Sequence, residues 1–431
     1  MKRFFPTLAL VLLAGLALAQ QLAEEAFVIN IEVPVRVFKG SRFIDDLTIN
    51  DFEITENGKP QKLEAVYYVK KRSVERRDEI QRFAPRTDRN FFLFFEISDY
   101  MPKIGEALDY FIQNVIMPGD GLTIVSPMKT YRLKPRAFEA RSREEIVEKI
   151  KGILRMDSLI GSSEYRDIIH ELEDMAKAMA AGITHQRTSP ETATRTRAGT
   201  TTGTTTAATA FTQWVVGTED VAQYSDFGFD EMLNRYAEAL GRLDNLRSVD
   251  QKQLVNFSKV LKNEQGQKYV YLFYQREFVP KIDPKILYQY IETYQDRPDI
   301  AQTVQGLFEF YKRETPFDVN LIKKASADSS VAIHFLLISD PPKSTEGVRF
   351  EEQSEDIYSA FSQMAEATGG FTESSANPVY LMKSAVEASE NYYLLYYSPR
   401  PYVKDGKFRE ISVRIKNKDY RVVHRLGYYA N

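Results

Sequence analysis

The sequence predicts the α/β class: a doubly wound, mainly parallel sheet inserted into a β-sandwich that the N- and C-terminal segments build together. Three observations predict it. Apolar runs without alternation at residues 91–95, 269–274 and 331–338 are separated by helical stretches, as expected for central parallel strands covered on both faces. Apolar and polar residues alternate instead near the two ends, through Ile29, Ile31, Val33, Val35 and Val37 and again through Ile411, Val413 and Ile415, the pattern of half-buried strands. Each end is too short to hold a core alone, so residues 24–70 and 391–431 are expected to share one.

Composition narrows the function classes. With 431 residues, 43% of them hydrophobic, the chain has apolar mass for one large domain or two moderate ones. Lys plus Arg total 57 against 60 Asp plus Glu, which lacks the basic excess of a general nucleic-acid binder. The absence of cysteine excludes disulfides, thiolate metal sites, thiol nucleophiles and lipid attachment through an N-terminal cysteine. The four histidines, His170, His185, His334 and His424, are widely spaced and give zinc enzymes or histidine triads little to work with. The balance favours a binding or structural protein over an enzyme.

Taken in order, residues 1–19 have a basic start at Lys2 and Arg3, an apolar run at 8–18, and small residues at Ala17 and Ala19. This reads as a secretory signal cleaved before Gln20. The run is shorter than the ~20 residues a spanning helix needs, and no later stretch is long enough either. The mature protein is therefore expected to be secreted, periplasmic or in the cell envelope, without a transmembrane segment. In residues 24–70, Pro34 predicts a sheet edge for the first strand. Asn57-Gly58 supplies two positive φ angles for a tight hairpin between residues 51–54 and 62–69. Residues 71–89, charged with both signs, read as a solvated linker.

The α/β unit then occupies residues 90–390. Its expected elements are a strand at 91–95, a helix at 103–116, a strand at 122–125, a short strand near Tyr131, and helices at 142–154 and 165–180. An amphipathic helix runs through Phe229, Leu233, Tyr236, Leu240 and Leu243, and a helical stretch at 286–311 separates the last two long strands. The tract 188–212, in which eight of the thirteen residues from 200 to 212 are threonine, cannot bury a core. It reads as a surface loop, with a glycosylated or adhesive stalk as the alternative. Residues 391–431 return to β structure, the tyrosine-rich run at 392–397 being assigned to core packing before a stacking surface.

Several stretches carry a family likeness. Leu47-Thr48-Ile49-Asn50-Asp51-Phe52-Glu53-Ile54 precedes Glu56-Asn57-Gly58-Lys59; Gly266-Gln267-Lys268 and Ser330-Val331-Ala332-Ile333-His334 introduce later strands. The most specific are Met364-Ala365-Glu366-Ala367-Thr368-Gly369-Gly370-Phe371, Tyr392-Tyr393-Leu394-Leu395-Tyr396-Tyr397-Ser398-Pro399, Asp405-Gly406-Lys407-Phe408 and Gly427-Tyr428-Tyr429. Together they resemble the von Willebrand factor A-related domain family of secreted bacterial proteins, over nearly the whole mature chain except the threonine-rich tract. The resemblance implies a ligand bound through Mg²⁺ at the C-terminal edge of the parallel sheet. The family pattern is D-x-S-x-S after the first strand, a Thr in a later loop and an Asp closing the fourth strand. Here those positions read Glu96, Ser98 and Tyr100, with Ser163 near the Thr position and Gln275 near the Asp. Only Ser98 matches outright. A near-octahedral Mg²⁺ site with bonds of roughly 2.0–2.1 Å tolerates little displacement of its ligands. The adhesion site therefore reads as degenerate, with no cofactor expected; Asp99 is a substitute ligand in principle. The bland role for Glu96, Ser98 and Asp99 is loop hydrogen bonding and capping of the following helix.

No Walker-type loop, G-x-S-x-G elbow, H-E-x-x-H pair or EF-hand loop is found, and the adjacent carboxylates Glu351-Glu352 and Asp45-Asp46 read as solvent-facing. The expected function is that of a secreted, non-enzymatic interaction module whose partner is a protein or a cell-surface assembly. Ligands of open α/β sheets gather beyond the C-terminal strand ends. That edge is expected to consist of Ser98, Asp99, Tyr100 and Met101, residues 161–164, and Gln275, Arg276 and Glu277, with Tyr100 and Arg276 of the types that anchor interfaces. Two alternatives come from other classes: an envelope hydrolase acting through unremarkable Asp, Glu and Ser side chains, and a scaffold component that self-associates near Pro34 or through the threonine-rich tract. A compact cleft with two carboxylates of shifted pKa favours the hydrolase, and a broad apolar patch at the edge favours binding.

Overall fold

The computed structural model describes residues 29–71, 73–76, 85–188, 227–246, 249–310, 317–342, 348–416 and 419–431. The expected signal at 1–19 and residues 189–212 of the threonine-rich tract lie outside them. The fold is mixed α/β, with one mostly parallel sheet and separate antiparallel sheets. No helix among the described residues is long and apolar enough to cross a membrane.

The mostly parallel sheet has six strands in the order Thr372–Ser375, Val331–Ile338, Gln267–Gln275, Arg89–Glu96, Gly121–Val125 and Thr130–Leu133, and only the last pairing is antiparallel. The run at 91–95 lacks alternation because both its faces are covered. Phe91, Leu93 and Phe95 pack with helices Pro102–Asn114, Arg143–Gly161 and Pro378–Glu390 on one face. Phe92 and Phe94 pack on the other, against helices Gln251–Asn263, Val319–Asp328 and Glu355–Ala367. Local signals start the helices. Ser142 Oγ accepts from Glu145 N at 3.2 Å, and Asp250 Oδ1 accepts from Lys252 N at 2.8 Å, satisfying first-turn amides.

A second layer of helices, Ser163–Thr188, Phe227–Leu246, Pro284–Thr293 and Pro298–Phe310, packs with a two-stranded sheet of Phe278–Ile282 and Val348–Glu352. The single helical stretch expected at 286–311 is two helices, because Pro298 removes a backbone donor and serves at the start of a new helix instead.

The two chain ends interleave. Strand Asn391–Tyr397 lies between Ile31–Lys39 and Leu63–Lys70, in a sheet completed by Arg421–His424, Ser73–Arg76 and Arg42–Phe43. A four-stranded sheet contains Gly427–Tyr429, Phe408–Ile415, Phe52–Glu56 and Lys59–Gln61. Both sheets feed one core, in which Val33, Val35, Tyr68, Tyr393 and Leu395 meet Phe52, Ile54, Ile411 and Val413. The turn at Asn57 and Gly58 has the two positive φ values, 47° and 76°, that its sequence predicts. Two expectations need correction. Strand Ile31–Lys39 is internal to its sheet, not an edge; Pro34 is tolerated where pairing with Arg421–His424 has not yet begun, the first partners being Val35 and His424. The expected linker 71–89 contains strand Ser73–Arg76, and Arg89 already belongs to the first parallel strand.

Candidate functional site at the carboxyl edge of the parallel sheet

Strand Arg89–Glu96 sends alternate side chains to opposite faces, so Glu96 follows Phe92 and Phe94 onto the second face. The chain then crosses the sheet edge through Ile97, Ser98, Asp99 and Tyr100 before helix Pro102–Asn114. That helix begins at Met101 with no side-chain cap, and Pro102 opens it. Of the two roles expected of Ser98 and Asp99, capping is therefore not seen and loop hydrogen bonding is. They bond across the edge. Gln275 Oε1 accepts from Ser98 N at 3.0 Å, Ser98 Oγ at 3.2 Å and Asp99 N at 3.1 Å.

Arg166, which the sequence reading did not single out, completes this corner. Its Nη1 donates to Ser98 O at 2.6 Å and Ser158 O at 3.0 Å, and its Nε lies 3.9 Å from Asp99 Oδ1. Ser162 Oγ donates to Ile97 O at 3.1 Å. Ser163 turns away, its hydroxyl donating to Ile160 O at 2.8 Å. The hydroxyls of Ser98 and Ser163 are thus both given to protein oxygens.

The remaining expected residues flank this corner. Tyr100 and Met101 pack against the first-face core; the Tyr100 ring lies 5.3 Å from the Arg155 guanidinium, and burial raises the Tyr100 hydroxyl pKa above its ordinary value. A side chain at Gly105 would begin 2.6 Å from the Tyr100 hydroxyl, so the Tyr100 ring lies directly over the first turn of the helix. Arg276 has its own partners: Nη1 donates to Glu352 Oε2 at 2.6 Å, Nη2 to Ser374 Oγ at 3.0 Å, and the guanidinium stands over the Tyr358 ring. Glu352 is accordingly half-buried and paired, not simply solvent-facing as its sequence suggested, and Glu351 pairs with Lys281. Glu277 N donates to Ser354 Oγ at 3.0 Å, and Glu277 accepts from the Tyr274 hydroxyl.

Beneath the edge, on the second face, lies a cleft of about 640 Å³. Phe94, Leu272, Leu254, Phe257 and Phe361 give it an apolar wall, while Ser98, Gln275, Glu164 and Glu277 bring polar groups to it. Glu96 also lines the cleft. It retains access to solvent there, yet the surrounding protein desolvates its carboxyl and raises its pKa. Beside the cleft, Met156, Leu159 and Ile160 project from the last turns of helix Arg143–Gly161, and Met128 lies against Gly161. The three-and-four spacing of that stripe is visible in the sequence, but spacing alone assigns such residues to a core.

No protein-family model, curated protein or solved structure matches this chain.

Proposed function

We propose that this chain is an exported, non-enzymatic interaction module related to von Willebrand factor A domains, carried on a β-sandwich built from its own two ends. Its carboxyl edge binds a protein partner without a metal ion. The observation that carries this reading is the apolar stripe at the edge: Met156, Leu159 and Ile160 are 53%, 57% and 51% exposed on one side of a helix, and Met128, 42% exposed, extends the stripe toward the cleft. Large side chains left in water together, beside a cleft, are the signature of a surface that is covered in use.

The donor set at the edge does not fit Mg²⁺. Ser98 gives its hydroxyl and amide to a neutral amide oxygen, and Asp99 faces the fixed positive charge of Arg166. Gln275 in place of a carboxylate then serves as a structural fastener, its neutral oxygen taken by three donors of the loop.

The test is capture from envelope extract by the purified chain, with and without chelator, comparing wild type with a Leu159→Ser, Ile160→Ser double variant of unchanged circular dichroism. The expected result is specific capture that survives chelator and disappears in the double variant. Capture abolished by chelator, or unaffected by the double substitution, overturns the reading.

A further inference from the structure

The junction between the terminal β sheets and the parallel sheet gathers three cationic side chains from distant parts of the chain. Arg36 comes from strand Ile31–Lys39, Lys268 from the start of strand Gln267–Gln275, and Arg425 from just after strand Arg421–His424. They are 9%, 6% and 5% exposed and line one small cavity of about 30 Å³, together with Ser330, Thr368 and Gln267.

Their partners are neutral. Arg36 Nη2 donates to Gly369 O at 2.9 Å, and Lys268 Nζ donates to Glu264 O, a backbone carbonyl, at 3.2 Å. Arg425 donates through Nη2 to the Glu32 carbonyl at 2.7 Å and through Nη1 to Ser330 Oγ, while its buried Nε has no hydrogen-bond partner. The carboxylates of the neighbourhood are engaged elsewhere. Glu264 pairs with Arg132 at 2.9 Å, Asp328 pairs with Lys262 at 2.7 Å, and Glu32 accepts from Gln267 Nε2 at 2.8 Å and the Tyr396 hydroxyl at 2.7 Å. Glu32, Glu264 and Asp328 act on Lys268 or Arg425 only through space, without a direct ion pair; three buried cations with no carboxylate of the described residues in contact are unfavourable, and two of them are guanidinium ions that do not give up their protons.

We propose that this cavity binds one small inorganic anion, a halide or a tetrahedral oxyanion, held by Arg36, Lys268 and Arg425. Its size admits a single ion, and the cationic groups that line it, the unpartnered Arg425 Nε–H among them, donate to it. Burial and the nearby Arg425 draw the Lys268 ammonium down to about 8, so at neutral pH it is still largely charged and able to contribute. Because the three cations come from both the terminal β sheets and the parallel sheet, the anion fastens one to the other.

The experiment is thermal unfolding of the full chain at pH 7 and constant ionic strength, titrating chloride, bromide, sulfate or phosphate against isethionate, an anion too large for the cavity. A saturable rise in melting temperature with a small anion is expected, since a ligand of the folded state alone raises stability with its concentration. Whether halide or oxyanion produces it identifies the occupant. Crystals grown with bromide or sulfate are expected to hold the ion within hydrogen-bond reach of Arg425 Nε and Lys268 Nζ. Lys268→Met is expected to weaken the apparent affinity at least tenfold. Equal melting temperatures in all anions, a rise that never saturates, or a rise undiminished in Lys268→Met overturns the proposal. So does density at the site without anion-dependent stability, which signifies an adventitious ion only. The wild-type titration and crystals decide the question even if Lys268→Met does not fold.

Discussion

Gln275 and Ser98 are joined at two points: one side-chain oxygen of Gln275 accepts from both the amide and the hydroxyl of Ser98, and takes the Asp99 amide as a third donor. Gln275→Leu keeps similar bulk and removes the acceptor. It is expected to cost about 2 kcal/mol, the range for leaving partly buried polar groups unpaired. Urea unfolding measures the loss, and amide exchange at Ser98 and Asp99 is expected to quicken. Unchanged exchange there would show that these bonds do not form in solution.

Arg89 and Asp120 make a two-point ion pair out of contact with water, Nε to Oδ1 at 3.2 Å and Nη2 to Oδ2 at 2.6 Å, and Asp120 also accepts from Met117 N at 2.8 Å. Arg89→Met strands a buried carboxylate and is expected to destabilise by about 3–5 kcal/mol. Adding Asp120→Asn is expected to recover part of that. A double-mutant cycle giving strictly additive losses would deny the coupling.

Glu96 sets a pH dependence of definite sign. Its folded pKa is raised by desolvation, so the folded state binds more protons than the unfolded chain in the window just above 4.5. Its contribution to stability is most favourable below the unfolded value and is lost as pH rises through the folded value. Glu96→Gln is therefore expected to gain stability relative to wild type at pH 7 and to show little gain at pH 4, in paired denaturant titrations. A gain independent of pH would place the carboxyl in an environment as wet as the unfolded chain.

Gly370 leaves no room for a methyl group: a Cβ there would lie 1.7 Å from Ile333 O and 2.6 Å from its carbonyl carbon. Because the obstacle is backbone of a central strand, it cannot rotate aside. Gly370→Ala is expected to cost about 3 kcal/mol or more, read as a lowered urea midpoint. Gly152→Ala, where open space surrounds the position on a helix, is the control and is expected to be neutral or stabilising.

Elements that declare themselves locally were legible in the sequence. The unbroken run at 91–95 marked a strand with two covered faces, and Asn57-Gly58 marked a hairpin, because burial on both faces and positive φ each demand particular residues. Strands Phe278–Ile282 and Val348–Glu352 were not legible. They are short, and each is defined by a partner far along the chain, at a register such as Pro280 with Phe350 that no local pattern encodes. Pro34 misled for a related reason: proline forbids a bond on one side of one residue, and the neighbouring strand begins just beyond it. At the edge, Ser98, Asp99 and Gln275 were singled out correctly as neighbours, but Arg166 was not. Its role comes from where helix Ser163–Thr188 starts relative to the sheet, which is a property of packing.

The interleaving of the two chain ends also imposes an order in time. Among the described residues, strand Asn391–Tyr397 is what joins Ile31–Lys39 to Leu63–Lys70 in their sheet, with Ile31 opposite Tyr397 and Tyr68 opposite Tyr393. At synthesis rates of about 5–20 residues per second, the early strands wait on the order of tens of seconds for the late one. During that interval each carries an open backbone ladder and an apolar face, the two features that invite pairing with another chain. The nascent chain, before its last forty or so residues emerge, is consequently the form most prone to misassembly. Ribosome stalling or C-terminal truncation would leave a product whose beginning, not its end, is the sticky part.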